Sequence, residues 1–441
     1  MKPRIFIAIH YLELGGAETS LIGLLHAFDP EKVDVDLLVY SHQGELMKAI
    51  PPHVNLLPEN RTWSMFEKPL KEVLKAGQLR MFLARMKGKC QMKEYVKSMQ
   101  PSDGSAIFGF LGKEVSKVLP DINPDVEYDL AISYLHPHDF VLDHVRAKKK
   151  LCWIHTDYST IDVNTELELP VWGAYNHIVS ISADCTKSFL QKFPTLASKI
   201  IDMENIMPVT MIRSRADEFE VDWDKEEQKA TNTPPHSDKS ATLRILSIGR
   251  FSEQKNFDNL PFICSIMIEE MKKLLSIGRF CEAKNYDNVP DITRRIIEGG
   301  CDIKWYIIGY GGDEALIRQK ITETGMQDHV IILGKKENPY PYIKGCDIYV
   351  QPSRYEGKSI TVREAQMLCK PVVVTNYPTA SSQIQDGVDG VIVPMDNEGC
   401  AKGLAEFILN SEKQSCIVEY LKTHDFSGQH EVNKLYKLID V

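Results

Sequence analysis

Short apolar runs, separated by stretches of helical spacing, recur along most of this chain of 441 residues. RIFIAIH (4–10), VDVDLLVY (33–40), YDLAISYL (128–135), LCWIH (151–155) and HIVSIS (177–182) each read as a buried strand. A second series follows: LRILSIG (243–249), KLLSIG (273–278), IKWYIIG (303–309), HVIILG (329–334), CDIYVQPS (346–353), PVVVTN (371–376) and GVIVP (390–394). Segments such as SLIGLLHAF (20–28) and EALIRQKI (314–321) lie between strands and place apolar residues on one helical face. Strands alternating with helices predict parallel sheets covered on both faces, and thus an α/β protein.

The alternation breaks at 208–241, where PVTMIRSRADEFEVDWDKEEQKATNTPPHSDKSA is polar, acidic and proline-bearing. That stretch reads as an inter-domain connection with a mobile loop. A chain of this length also exceeds what one hydrophobic core serves. The expected organisation is an N-terminal domain over 1–207, the linker, a second domain over 242–410, and C-terminal helices over 411–441 that pack back on the first domain. Two doubly wound sheets would then face each other across a cleft, with ligands at the carboxyl ends of the strands.

Charge changes this picture in one place. The whole chain carries −9, which argues against a general nucleic-acid binder. Within 61–97, however, ten basic residues, Arg85 among them, stand against Glu67, Glu72 and Glu94. Trp63, Met65, Phe66, Leu70, Leu74, Leu79, Met81, Phe82 and Met86 are interleaved with them. A basic helix with large apolar residues suits the interface of an anionic membrane, so 61–100 is expected to be a membrane-facing insertion. The alternative is a solvated helical hairpin covering the first domain. Ten scattered cysteines without a CxxC pair indicate neither a zinc site nor a disulfide framework, and no metal is expected. The apolar run at the N-terminus is too short for a signal-peptide core, and no stretch reaches the length of a membrane span. A cytoplasmic protein, peripheral on the inner membrane face, is the expectation.

The most informative chemistry lies in SRYEGKSITVREAQMLCKPVVVTN (353–376). A strand ends, a turn containing Gly357 follows, and Ser359 is placed to cap a helix from Ile360 to about residue 368. Free backbone N–H groups at Ser359, Ile360, Thr361 and the next residue form an anion site. Glu356 precedes that helix and Glu364 sits on its second turn, so two carboxylates stand beside it. Such a set suits a ligand with several hydroxyls and a phosphate. Taken for its spacing alone, the pair is more often an ordinary exposed one.

The E-x7-E arrangement, SIGRF-x3-KN, WYIIGYGGDEALI and DGVDGVIVP, in this order over roughly 242–400, resemble the retaining glycosyltransferases of family 4, which have the two-domain GT-B fold. The first half resembles them less, through GGAETSL (15–21), the loop after LCWIH and ISADCTKSFL (181–190). The resemblance implies that Glu364 holds the ribose hydroxyls of a nucleotide diphosphate sugar and that Glu356 reaches the transferred sugar. It implies an arginine and a lysine that hold the diphosphate, without a metal. Gly15 and Gly16 would let backbone approach the diphosphate or the acceptor, and His155 matches a histidine that touches the donor sugar. The implied activity is transfer of a hexose-type unit, with retention, from a uridine-linked donor to a glycan or lipid-linked acceptor held on the N-terminal side. Surface polysaccharide or glycolipid synthesis is the implied setting. The rivals are a nucleotide-sugar epimerase of GT-B fold and a non-catalytic nucleotide-sugar binder. The family often writes EGFG where this chain has Glu356-Gly357-Lys358-Ser359, so sugar identity does not carry over. The one Asp-x-Asp, Asp34–Asp36, reads as strand rather than as a metal clamp.

One segment occurs twice. SIGRFSEQKNFDN (247–259) returns as SIGRFCEAKNYDN (276–288), identical at ten of thirteen positions. The copies offer Arg250 with Lys255, or Arg279 with Lys284, and only one strand can be central in a doubly wound sheet. The second copy continues through a complete helix into the next strand, so it is expected in the site. The first copy is then displaced as an insertion within a tandem duplication over 243–300, although its strand follows the linker directly.

Overall fold

The structure, a computed structural model, describes residues 2–13, 15–101, 103–231 and 271–440. The first copy of the repeat, with Arg250 and Lys255, lies outside the described residues. The described residues fall into two compact units. One lies within Met1–Ile212, Gly357–Ile360 and Asp425–Val441, and the other within Arg213–Glu356 and Thr361–His424.

The first unit is built on seven parallel strands: β1 (Arg4–Ile9), β2 (Asp34–Val39), β3 (Val54–Leu56), β4 (Tyr128–Ser133), β5 (Ala147–Ile154), β6 (His177–Ser180) and β7 (Ile200–Asp202). Their order is β3-β2-β1-β4-β5-β6-β7. Strand β1 shows why the apolar runs are continuous rather than alternating. Ile5, Ile7 and Ile9 enter one core cluster while Phe6 and Ala8 enter the other, so both faces are buried. Strands β3 and β7 are three residues each at the two edges, too short to leave a periodic signal. Asp36 is a strand residue of β2, buried, and accepts from Arg4 Nη2 (2.9 Å), Asn55 Nδ2 (2.7 Å) and the Tyr128 hydroxyl (2.7 Å).

The basic segment divides. Residues 63–66 form a 3₁₀ turn, followed by helices Leu70–Lys75 and Leu79–Met99. Trp63, Phe66, Val73, Met81 and Ala84 are core residues packed against the sheet, with Met65 and Phe82 partly buried beside them. Arg85 is buried too, and donates to the carbonyls of Met65 (2.7 Å) and Lys68 (2.6 Å). The apolar residues of 61–97 therefore do not all serve one outward face; the larger share holds the segment onto the first unit.

Among the described residues the second unit contains six parallel strands: β8 (Lys272–Ile277), β9 (Ile303–Ile308), β10 (Val330–Gly334), β11 (Ile348–Gln351), β12 (Val372–Thr375) and β13 (Val391–Val393). Their order, β10-β9-β8-β11-β12-β13, places β8 centrally, and β8 is the strand of the second repeat copy. In both sheets the order reverses beside the first strand, between β1 and β4 and between β8 and β11. Such switch points are where doubly wound sheets bind ligands.

The stretch expected as connection and loop is partly helical. Val209–Ala216 and Trp223–Thr231 are helices, and the boundary between the units falls at Ile212/Arg213. Trp223 packs on Tyr306 with ring centroids 4.3 Å apart. Glu227 takes Lys304 (2.5 Å) and the Tyr306 hydroxyl (2.5 Å), and Glu226 pairs with Lys336 and Lys229. One aromatic anchor and several ion pairs fix this helix without an apolar stripe, which is why hydrophobic periodicity did not reveal it. Of the C-terminal helices, Ser411–Thr423 stays in the second unit, while residues from Asp425 on belong to the first.

The helix Gly16–Ala27 crosses closely over the backbone of the first unit. A Cβ on Gly23 would stand 2.0 Å from the carbonyl oxygen of Ile206. Alanine is the better helix former, by about 1 kcal/mol, but here it would force main chain apart. Gly23→Ala is therefore expected to lower the unfolding midpoint in urea, by about 1–3 kcal/mol of stability. Gly104→Ala, where nothing lies within 4 Å of the added methyl, should leave the midpoint unchanged.

Candidate functional site

The switch point of the second unit is shaped first by glycines. Beyond β8 and β9 the two loops approach so closely that a Cβ on Gly309 would lie 1.9 Å from the Gly278 carbonyl oxygen. Gly311 has φ +154, and a Cβ there would lie 2.3 Å from the Phe280 oxygen. Phe280 N–H donates to the Tyr310 carbonyl (2.8 Å) across this contact. SIGRF and IIGYGG are thus one packed corner, which turns the chain so that Lys284 follows on a 3₁₀ turn at Glu282–Lys284. The lysine stem lies over Gly278, where an added Cβ would be 3.0 Å from Cε.

Lys284 Nζ donates to Glu356 Oε1 at 2.6 Å, both side chains being largely buried. The same carboxylate oxygen accepts from Ser353 Oγ (2.6 Å) and Gln351 Nε2 (3.0 Å). Gln351, the last residue of β11, is fully buried and saturated. Its Nε2 also donates to Ser353 Oγ (2.7 Å), and its Oε1 accepts from Tyr349 (2.8 Å) and Thr361 Oγ1 (3.3 Å). Burial pushes the Tyr349 hydroxyl well up, and the negative charges of Glu364 and Glu356 add to it, so both carboxylates act on this one network. Beside it, Arg354 grips Asp287 through two bonds of 3.0 and 2.8 Å, locking the loop after Lys284 to the turn before Glu356.

Glu364 is deeper, on the helix Ile360–Met367. It accepts from the Tyr340 hydroxyl at 3.0 Å, and the Arg215 guanidinium lies 5.5 Å from the Tyr340 ring centroid. Burial, only partly offset by Tyr340 and Arg215, pushes its carboxyl up to about 7. Arg279 is exposed. The structure therefore brings Lys284 to Glu356 and links Thr361 to that pair through Gln351. Gln351, Ser353, Arg354, Tyr340 and Arg215 were not read from the sequence. Gln351, Ser353 and Arg354 lie at and just beyond a strand end, Tyr340 opens the helix Tyr340–Gly345 and Arg215 lies in the linker stretch; none has a motif of its own, although QPSRYEG contains three of them.

The remaining expected residues lie in the first unit. A Cβ on Gly16 would meet Ile360 Cγ1 at 3.0 Å, and Gly15 lies against the Glu18 carboxylate. Gly357, Ser359 and Ile360 group with this unit, where Lys358 pairs with Glu204 at 2.5 Å. His155 follows β5. Its ring lies 4.6 Å from Tyr134, its Nε2 has no hydrogen-bond partner, and burial pushes it down to about 3. It is neutral near pH 7 and suited to bond an uncharged hydroxyl. Also beyond the strand ends are His10, His136 and His138. Burial holds His136 down to about 3 and pushes Glu168, 3.8 Å from it, up to about 7. This polar group was not foreseen, because His10, the His136–Pro137–His138 stretch, His155 and Glu168 are far apart in the sequence.

Residues 265–424 match the family of glycosyl transferases group 1. The amylovoran biosynthesis glycosyltransferase AmsK of Erwinia amylovora is 29% identical over 175 residues, 38% of this chain and 35% of that protein. An N-acetylgalactosaminyltransferase of Campylobacter jejuni, acting by its name on a diphospho-undecaprenol-linked sugar, is 30% identical over 98 residues, 22% of this chain and 27% of its own. The chain thus spans about a third of the length of these relatives. Among solved structures, Anabaena Alr3699/HepE in complex with UDP and glucose superimposes with a TM-score of 0.62 at 13% identity, over 99% of each chain. Staphylococcus aureus TarM does so with 0.61 at 12%, over all of both chains. At those identities the likeness speaks for the fold. Two parallel α/β units in this arrangement of strands give the chain a GT-B fold, and the stretch that matches the glycosyl transferases group 1 model, 265–424, falls almost wholly within the second unit.

Proposed function

We propose that the protein moves a sugar from a nucleotide diphosphate sugar, a uridine one, to a glycan or lipid-linked acceptor, with retention, in surface polysaccharide or glycolipid synthesis. One observation carries the reading. At the switch point of the group 1 domain, a lysine from the turn after β8 is held on a carboxylate from the turn after β11. Relatives named for amylovoran biosynthesis and for a lipid-linked acceptor, and a neighbour holding UDP and glucose, support the choice of substrates.

On this reading Glu364 accepts the ribose hydroxyls, and Glu356 accepts a hydroxyl of the transferred sugar in place of one of its present donors. Lys284 and Arg279 face the diphosphate, and the start of the helix Ile360–Met367 adds N–H groups. Fixed positive charge stabilises the leaving diphosphate as the glycosidic bond breaks, so neither a metal nor a protein nucleophile is required. The departing phosphate oxygen can take the acceptor's proton. His155 bonds the sugar as a neutral group. A cytoplasmic setting goes with the nucleotide-sugar donor.

The protonation of Glu364 gives a test with a defined sign. Its carboxyl is mostly protonated at pH 6 and mostly charged at pH 8, since it titrates at about 7. UDP affinity, measured by calorimetry, should rise across that interval. Glu364→Gln should flatten the profile and cost about 1–3 kcal/mol of binding at pH 8. Stability should move the other way. A carboxyl whose folded pKa is raised from 4.5 to about 7 contributes stability at low pH that is lost as pH rises through 7. Glu364→Gln is therefore expected to raise the thermal midpoint at pH 8 more than at pH 5.

Release of UDP from a panel of UDP-sugars tests the activity itself. Lys284→Ala together with Arg279→Ala should reduce it on the order of 10²-fold or more. The same changes at Arg250 and Lys255 should have little effect. Glu356→Gln should impair release while UDP alone still binds. Interconversion of donors without their consumption would mean an epimerase, and binding without turnover would mean a non-catalytic receptor.

A further inference from the structure

The helix Leu79–Met99 has two unlike faces. Met81, Ala84, Arg85, Gly88 and Met92 are buried on one side. On the other, Leu79 (57% exposed), Leu83 (57%) and Met86 (37%) succeed one another at helical spacing. Leu74, 51% exposed, belongs to the short helix just before. Single exposed leucines are ordinary on soluble proteins, but four large apolar side chains on two consecutive helices are not. The exposed residues among them are mostly basic: Lys71, Lys75, Arg80 and Lys89, with Glu72 as the one carboxylate between 70 and 93.

We propose that the outer face of residues 70–90 seats on an anionic lipid surface, with Leu74, Leu79, Leu83 and Met86 entering the interface and the lysines and arginine meeting lipid phosphates. Charge decides between the occupants of such a face. A second copy of the chain would cover the leucines, but face to face it would oppose one basic cluster to another. A soluble polyanion would satisfy the charges and leave the leucines in water. An anionic bilayer satisfies both. The helix is not apolar enough to cross a membrane, so it would lie in the plane of the surface. Because the chain as a whole carries −9, attraction must come from this patch, and it must weaken with salt. The inference stands on the first unit alone and does not depend on the transferase reading.

The test is co-sedimentation of the full-length protein with vesicles of phosphatidylglycerol and phosphatidylcholine, against phosphatidylcholine alone. Binding should be confined to the anionic vesicles and should fall when salt is raised from about 50 to about 300 mM. Reversing a basic residue should weaken it roughly fivefold per position; Lys71→Glu, Lys75→Glu, Arg80→Glu and Lys89→Glu together should abolish it. Leu79→Ser, Leu83→Ser and Met86→Ser combined should weaken it by about tenfold or more, with an unchanged thermal midpoint because these side chains lie outside the core. Equal binding to neutral vesicles, or full binding by the triple serine variant, would overturn the proposal. So would a dimer in sedimentation velocity that the serine variant dissociates while vesicles bind neither form.

Discussion

A carboxylate and an ammonium held out of water are stable only if their positions are enforced, and the second unit is organised around enforcing them for Glu356 and Lys284. Gln351 does this from the end of β11, with its amide saturated by Tyr349, Thr361, Ser353 and Glu356. A buried polar network of this kind is worth having only when complete, since each unmet group costs more than a bond contributes. The strand positions, the glycine corner and the Arg354–Asp287 clamp all serve to bring its members within reach. The ion pair itself is no measure of stability, because desolvation offsets much of its attraction. Its value lies in keeping charge ready, at a fixed place, for a substrate that arrives with charge of its own.

Most of the architecture was legible because parallel sheets write their strands as unbroken apolar runs. The strands longer than three residues in the described part were visible in this way. What escaped was structure held by other means. The helix Trp223–Thr231 depends on one tryptophan and on ion pairs to β9 and its neighbours, and composition made it resemble a loop. The edge strands β3 and β7 are too short to show a period.

The candidate site was legible in part. Glu356, Glu364 and Lys284 stood out because motifs frame them, and Lys284 and Glu356 do meet. The residues that orient them did not stand out, since a buried glutamine at a strand end looks like any polar residue closing a strand. The basic segment shows the opposite error. Trp63, Phe66 and Met81 seemed to belong with its lysines, but periodicity cannot say which side of a helix meets the sheet until the partner surface is known.

The second repeat copy supplies β8 and the corner with Gly309, and this bears on how the gene can change. The copies are offset by 29 residues, so loss of one unit joins ATLRIL directly to SIGRFCEAKN. In the product, Ile245 and Leu246 would stand where Leu274 and Leu275 stand now, and Arg244 where Lys273 stands. The buried pair in the central strand stays apolar and its half-exposed neighbour stays basic, while the glycine, arginine and lysine that follow are untouched. Removal of 29 residues at this point would therefore leave the central strand and the loop after it with the kinds of residue they carry now.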